Sequence, residues 1–381
     1  MKIIRKILNK LKTSNIKYEP LIEVRIFKDA LLNNLNEFQK KYPKVKFAPV
    51  IKSNAYGHGL VQVGQILDKE DIAFLIVDSF YEALTLRQAG IKSRILILGY
   101  NRIKELISSP LTNCSATIIN LETLKQVISK LKNSAPFHLK IDTGMHRQGI
   151  LLSEVAEAIK LIKSNSNFIL EGVCSHFADA DGAENDFTEK QIEAWNKLVK
   201  IFKQAFPQVK YYHTSNTAGN RFSDKIEANV SRLGVGLYGL NDSAIKNPNL
   251  QPAMEVRSLI SLVKNIGAGE KVGYGITYES QKPLTIATVP IGYYEGVDRR
   301  LSNKGYYKCG GVFCPLVGRV SMNISTIDVS AVTDVKLEDE VVVISRNSSD
   351  KNSIQNIAEI CGCLEREVLV HVPQHLRRVI I

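Results

Sequence analysis

The sequence predicts an α/β fold, an N-terminal (β/α)8 barrel of the TIM type followed by a mostly β C-terminal domain. Three observations lead there. Short β-branched apolar runs alternate with helix-period segments eight times between residues 46 and 239. A polar, proline-containing stretch, NDSAIKNPNLQP (241–252), then breaks the rhythm. Beyond it, strand-like runs and glycine-containing turns dominate. A chain of 381 residues suits two domains, since one core seldom grows past about 250–300 residues.

The elements follow in order. Residues 1–17 read as a basic amphipathic extension, with Ile3, Ile4, Ile7, Leu8 and Leu11 on one helical face and lysines opposite. There is no signal-peptide core or cleavage site. Such a face packs on its own protein or a partner subunit more readily than on a membrane surface. The barrel is assigned to 18–240. Its eight strand runs are KFAPVIK (46–52), IAFLIVD (72–78), RILILG (94–99), SATIIN (115–120), FHLKID (137–142), ILEGVCSHF (169–177), VKYYHTSN (209–216) and RLGVGLYG (232–239). Helix-like stretches at 80–90, 121–132, 153–164 and 188–206 lie between them. Each strand, helix and following strand makes a βαβ unit, and eight in series suggest closure. An open doubly wound sheet is the alternative, weakened because no G-x-G-x-x-G follows the first strand. The β-rich domain, 241–381, carries SLISLVKNI, LTIATVPIGY, GVFCPLVGRV, STIDVS and DEVVVIS, with one helix near 352–361.

Composition narrows the function classes. Lys and Arg outnumber Asp and Glu by 50 to 38, a formal charge of +12. The lysines are scattered over helix faces without the basic stripe that nucleic-acid binding needs, so no nucleic-acid partner is expected. Six cysteines in a chain this long do not form a disulfide framework. Cys361-Gly-Cys363 lacks zinc-ligand spacing, so no metal is expected. No segment approaches the roughly 18–20 apolar residues of a membrane span. A cytoplasmic protein without stable membrane insertion is the expectation.

In a barrel of this type, function collects at the C-terminal ends of the strands. Those ends carry Lys52, Lys140 with Asp142, His176, His213 with Asn216, and Tyr238 with Arg232 just before it. Any one of them has an ordinary structural explanation, as a solvated rim lysine or a satisfied core histidine. Together they mark a barrel enzyme of unassigned chemistry.

VIKSNAYGHG (50–59) resembles the cofactor-lysine signature of the alanine racemase family of pyridoxal-phosphate enzymes. The likeness runs in the same order from Tyr18 to the C-terminus, through HLKIDTGMHRQG, VCSHFADAD, HTSNTAGNRF, RLGVGLYGL, KVGYGITY, PIGYYEGVDRRL and GRVSMN. It implies pyridoxal 5'-phosphate held on Lys52 as a Schiff base, with Lys52 also acting as a base on one face of the substrate. Tyr56, Thr217 and the Gly234 N–H would hold the phosphate, and His176, Asn216 and Tyr238 would line the cofactor site. Arg232 would face the pyridine nitrogen. A guanidinium keeps its proton, so that nitrogen stays unprotonated and the ring is a weaker electron sink, which suits racemisation. Tyr274 would be the second base, reaching the site from the partner subunit, with His176 assisting it. Arg147, Met322 and Tyr293 would bind substrate, and Lys140 sits where many members carry a carbamylated lysine. The resemblance therefore implies a homodimer with composite sites that interconverts L- and D-alanine and supplies D-alanine for peptidoglycan.

Three positions depart from the commonest family form. Asn323 ends GRVSMN where aspartate is usual, and Glu295 stands in GYYEG where aspartate is usual. Gln374 lies near the place of a phosphate-contacting tyrosine, with His371 the other candidate. A racemase of broader range, serine included, is one alternative. Another is a non-catalytic cofactor-binding protein, for which Tyr274 would have no use. Related decarboxylases fit less well, because their site logic places an acid where Arg232 stands.

Overall fold

The computed structural model describes residues 19–108, 110–241 and 249–381. The amphipathic segment expected over 1–17 and most of the 241–252 linker lie outside the described residues. The chain divides into two units. The barrel unit comprises Arg25–Glu255, Ile344–Gln374 and Ile380–Ile381, and the rest belongs to the β-rich unit.

β1, Glu23–Ile26, pairs in a sheet described below. Each of the eight barrel runs contains a strand: β2 (Lys46–Pro49), β3 (Leu75–Val77), β4 (Ile95–Ile97), β5 (Cys114–Ile118), β6 (Ala135–Lys140), β7 (Phe168–Cys174), β8 (Tyr211–His213) and β9 (Val230–Leu233). β3 to β8 form one parallel sheet in chain order, and β2 pairs in parallel with β9. Two seams close the ring. Between β2 and β3, Ala73 N–H donates to Phe47 O and Ile51 N–H to Ile76 O, both at 2.8 Å. Between β8 and β9, Asn229 N–H donates to Tyr212 O (3.2 Å) and Arg232 N–H to Ser215 O (3.1 Å). Closure excludes the open doubly wound alternative.

The short strands LIV and ILI are buried at every residue, as expected for parallel strands covered on both faces. Helices Phe80–Gln88, Leu121–Lys130, Val155–Lys163 and Asp186–Ala205 fill the predicted intervals. Ser79 and Asn120 cap the first two, accepting the N–H groups of Glu82 and Thr123. Phe137, Phe168, Trp195 and Phe202 bury in one core between strands and helices; each such side chain stabilises by about 1.5–3 kcal/mol.

The eighth run needs correction. RLGVGLYG is a strand only to Leu233, and Val235–Tyr238 is a 3-10 turn. Gly239, at φ 83°, ends that turn in a conformation that favours glycine. Tyr238 therefore stands beyond the strand end.

In the β-rich unit, β10 (Met254–Leu259), β11 (Leu262–Ile266), β14 (Leu284–Val289), β16 (Val312–Pro315), β17 (Ser325–Asp328) and β18 (Glu340–Ile344) realise the predicted runs, after the short pair β12 (Lys271–Val272) and β13 (Tyr278–Glu279). Two further strands are β15 (Tyr306–Cys309) and β19 (Arg377–Ile380). The larger sheet has the order β16-β15-β18-β10-β1-β19, and β11-β14-β17 form a second, antiparallel sheet. β1 and β19 are four residues each, too short for a period of two to stand out. The helix expected near 352–361 is Ile354–Cys361, followed by Glu365–Val370, and both fold with the barrel unit. No helix among the described residues is long and apolar enough to cross a membrane.

Candidate active site

A cavity of about 540 Å³ opens at the C-terminal ends of the barrel strands. Of the residues singled out in the sequence, it brings together Lys52, Tyr56, Lys140, Arg147, His176, Asn216, Thr217, Arg232 and Gly234. Seven of these lie more than 80 residues along the chain from Lys52, so strand closure assembles the group.

Lys52 follows β2 at the start of a turn of unusual hand. Ser53, Asn54, Ala55 and Tyr56 have φ of 54°, 55°, 52° and 50°, a left-handed helical turn without glycine. Ala55 N–H donates to Ile51 O at 2.9 Å and Gly57 N–H to Ser53 O at 3.3 Å. L-residues pay roughly 1–2 kcal/mol each for this hand, so neighbours must hold the turn. Asn54 Oδ1 accepts Leu60 N–H at 2.9 Å, and Ala55 is fully buried. Gly57 continues the turn at φ 81°, and a Cβ there would meet Leu369 O at 2.0 Å. Gly57→Ala is expected to cost about 2–3 kcal/mol, read as a lower urea midpoint. An unchanged midpoint would show that the helix Glu365–Val370 yields.

Thr217 and Gly234 make a small cradle. Thr217 Oγ1 accepts Gly234 N–H at 3.2 Å and Gly236 N–H at 3.3 Å. Both lone pairs are then engaged, and the hydroxyl proton is left to donate outward. The Gly234 backbone and the Thr217 side chain are thereby tied together. A Cβ on Gly234 would lie 3.5 Å from Tyr56 Oη and 3.8 Å from Thr217 Oγ1, so its absence leaves space between two hydroxyl groups. Burial raises the Tyr56 phenol above its usual range, with the Arg366 charge opposing; Tyr56 stays a neutral donor. Asn216 Oδ1 accepts Gly219 N–H at 2.8 Å. Tyr238 does not line the cavity. Its ring packs on those of His58 (4.4 Å) and Tyr56 (5.0 Å), and its hydroxyl donates to Val50 O at 2.8 Å, so it braces Tyr56 from behind.

Arg232 is buried, and both terminal nitrogens are engaged. Nη1 donates to His213 Nδ1 (2.8 Å) and His213 O (2.9 Å). Nη2 donates to Ser175 O, Thr214 O and His176 Nδ1, each at 2.8 Å. Nε–H is the remaining donor. Burial pushes this guanidinium down to about 10, which still leaves it charged at neutral pH. Burial and the Arg232 charge hold His176 and His213 well below the usual imidazole range, so both are neutral. With Nδ1 accepting from Arg232, the proton of neutral His176 sits on Nε2. The polar chain continues inward from His213 Nε2 to His138 Nδ1 at 2.8 Å. His138 Nε2 then lies 3.7 Å from Glu171, an electrostatic contact beyond hydrogen-bond range. Burial would raise the Glu171 pKa, but His138, Ser115 and Arg94 together hold it at about 2.

Lys140 Nζ donates to Gln148 Oε1 at 3.2 Å. Burial, and the positive charges of Arg232, Arg147 and Lys52, lower its pKa. The Lys52 amine lies 3.2 Å from Asp78 Oδ1. Asp78, Glu82, His213 as a partner of Arg232, and Arg366 are neighbours that sequence reasoning did not bring to the site. Arg366, on the helix Glu365–Val370, lines the cavity, whereas Gln374 and His371 do not. The helical spacing there could have pointed to Arg366, which shares a face with cavity-lining Val370 four residues on.

Tyr274, Tyr293 and Met322 belong to the β-rich unit. A Cβ on Gly273 would lie 3.3 Å from Arg319 N, and the Tyr293 and Tyr294 N–H groups donate to Ser321 O (3.0 Å) and Met322 O (2.9 Å). All three side chains are exposed, Tyr274 at 72%. Asn323 Nδ2 donates to Glu295 Oε1 at 2.7 Å, and Glu295 Oε2 accepts Gly292 N–H at 2.8 Å. Two of the departures from the family form are therefore one contact.

Two family models match the chain: alanine racemase, N-terminal domain, over residues 26–242, and alanine racemase, C-terminal domain, over 253–380. An alanine racemase of Methanococcus maripaludis is 33% identical over 358 residues, covering 92% of this chain and 96% of that protein. One from Lactobacillus acidophilus is 35% identical over 369 residues, covering 93% and 96%. The solved alanine racemase of Clostridium difficile matches with a TM-score of 0.88 and 31% identity, covering 96% of this chain and 97% of that one. The Bacillus anthracis alanine racemase with bound L-Ala-P matches with a TM-score of 0.87 and 29% identity, covering 96% of each chain.

Proposed function

The chain belongs to the alanine racemase family, and from that premise we propose that it is a pyridoxal-phosphate-dependent isomerase interconverting L- and D-alanine. One observation carries the reading: a lysine, a cradle of neutral hydroxyl donors and a buried arginine, held through both terminal nitrogens, share a single cavity. The space that Gly234 leaves between the Tyr56 and Thr217 hydroxyl groups fits a phosphate, and Lys52 fits an aldehyde that condenses with an amine. When bound, pyridoxal phosphate supplies an electron sink conjugated to the substrate Cα, which acidifies the Cα–H.

The residues of the chain do the rest. Arg232 would offer its remaining Nε–H to the pyridine nitrogen, and because a guanidinium keeps its proton the sink would stay weak, favouring return of the proton to Cα over side reactions. Lys52 would hold the cofactor and, with its amine free, would take or return the proton on one face. The partner subunit's Tyr274 would do so on the other. His176 Nε2–H would donate to that phenol oxygen and stabilise its ionised form. Arg147 and Met322 would hold the substrate carboxylate, with Tyr293 beside them. The lowered pKa of Lys140 suits reaction of its neutral amine with carbon dioxide, releasing a proton and giving a carbamate that would balance Arg147.

A homodimer with composite sites is part of the proposal. Tyr274, Ile276, Tyr294, Met322 and Ile324 are between 48% and 72% exposed in the single chain, a patch suited to burial against a second copy. A cytoplasmic enzyme supplying D-alanine for peptidoglycan completes it, in keeping with the absence of disulfides among the described residues. The test is to incubate the purified holoprotein with L-alanine in D₂O. Inversion together with replacement of the Cα proton by deuterium is expected. Bound cofactor with neither would leave a cofactor-binding protein, and faster inversion of L-serine would move the substrate.

A further inference from the structure

We propose that Glu82 is a positioning residue for Lys52, clamping the left-handed turn behind the lysine to the loop that carries Asp78. The proposal rests on Lys52 being the reacting amine. Glu82 Oε1 accepts the backbone N–H of Ser53 at 2.7 Å and of Asn54 at 3.4 Å. Its other oxygen, Oε2, accepts the N–H of Asp78 at 2.9 Å. One carboxylate thus gathers three backbone donors from the ends of two neighbouring barrel strands. The amine of Lys52 reaches the side chain of the same Asp78 at 3.2 Å. The backbone that launches the lysine and the acid facing its amine are both referred to Glu82.

An ordinary helix cap explains only part of this. Glu82 is the third residue of the helix Phe80–Gln88, whose cap Ser79 accepts its N–H at 3.2 Å. A reciprocal bond near that cap is common for a glutamate in this place. The bonds from Oε1 are different, because Ser53 and Asn54 belong to another element 28 or 29 residues away. They satisfy N–H groups at the start of a turn whose hand L-residues resist. A carboxylate suits the task because both oxygens only accept, and its bonds to N–H donors are charge-assisted. Glutamine would present an amide N–H to at least one donor. Alanine would release all three.

Glu82→Gln tests the idea beside Ser79→Ala, which weakens the same helix cap without touching the lysine turn. First, the cofactor-free proteins are mixed with pyridoxal phosphate, and the rate of Schiff-base formation is followed by absorbance. Glu82→Gln should slow it at least tenfold, and Ser79→Ala by less than twofold. Second, Cα-proton exchange is measured from L- and D-alanine separately. Glu82→Gln should change the ratio of the two rates at least threefold, because only one face depends on Lys52. Equal effects of the two substitutions, or an unchanged rate and ratio in Glu82→Gln, would overturn the proposal. If Glu82→Gln does not fold, amide hydrogen exchange in the wild-type protein decides. Slow exchange at Ser53 and Asn54 supports the clamp, and exchange at open-loop rates overturns it. A wild-type protein that binds cofactor without exchanging the Cα proton would instead remove the racemase reading, a separate result.

Discussion

Lys52→Ala leaves the protein folded, abolishes the Schiff-base absorbance and reduces racemisation in both directions by at least about 10⁴-fold. Both directions fail because the lysine is proposed for two tasks, anchoring the cofactor and exchanging the proton on one face. Folding should survive, since the side chain is over a third exposed and among the described residues its polar contact is the partly exposed Asp78. Exposed pairs of this kind contribute roughly 0–1 kcal/mol. Absorbance spectra and a thermal melt check the two halves of the result. Residual racemisation within tenfold of wild type would remove Lys52 from the chemistry, and a large fall in melting temperature would shift its role toward stability.

Tyr274→Phe has the opposite signature. Cofactor absorbance stays, while Cα-proton exchange falls by about 10²–10⁴-fold from one enantiomer and far less from the other. The substitution removes only a hydroxyl group from a ring that is 72% exposed in the single chain, so little folding energy is at stake. Following deuterium incorporation into each enantiomer separates the faces. Equal loss from both would argue against two face-specific bases. Concentration dependence adds a second check, because mixing inactive Lys52→Ala with inactive Tyr274→Phe should restore part of the activity only if the sites are composite.

Legibility differed by the range of the interaction. The barrel runs could be read because a parallel strand covered on both faces leaves a continuous apolar run, as in LIV and ILI, between helix-period segments. β1 and β19 could not, because four residues of mixed polarity acquire strand identity only from their neighbours in the sheet. RLGVGLYG misled for a related reason: its apolar pattern runs on, but the backbone leaves the strand at Gly234. The same limit affected the site. Asn323 and Glu295 looked like two independent departures, although they are joined at 2.7 Å. Gln374 was singled out at the cavity, where Arg366 stands, because the path of the helix Glu365–Val370 is set by its packing and not by its own residues.

By itself, the sequence determined the order of strands and helices and the residue types of the chemistry, with Lys52, Arg232 and Tyr274 each inside a specific motif. Periodicity and motif are properties of neighbours along the chain. Only the tertiary structure decided the left hand of the turn after Lys52, the acceptors that engage Arg232 and the reach of Glu82 to Ser53. Those features depend on groups that meet only when eight strands close. Conformations that cost energy locally persist only where distant groups hold them.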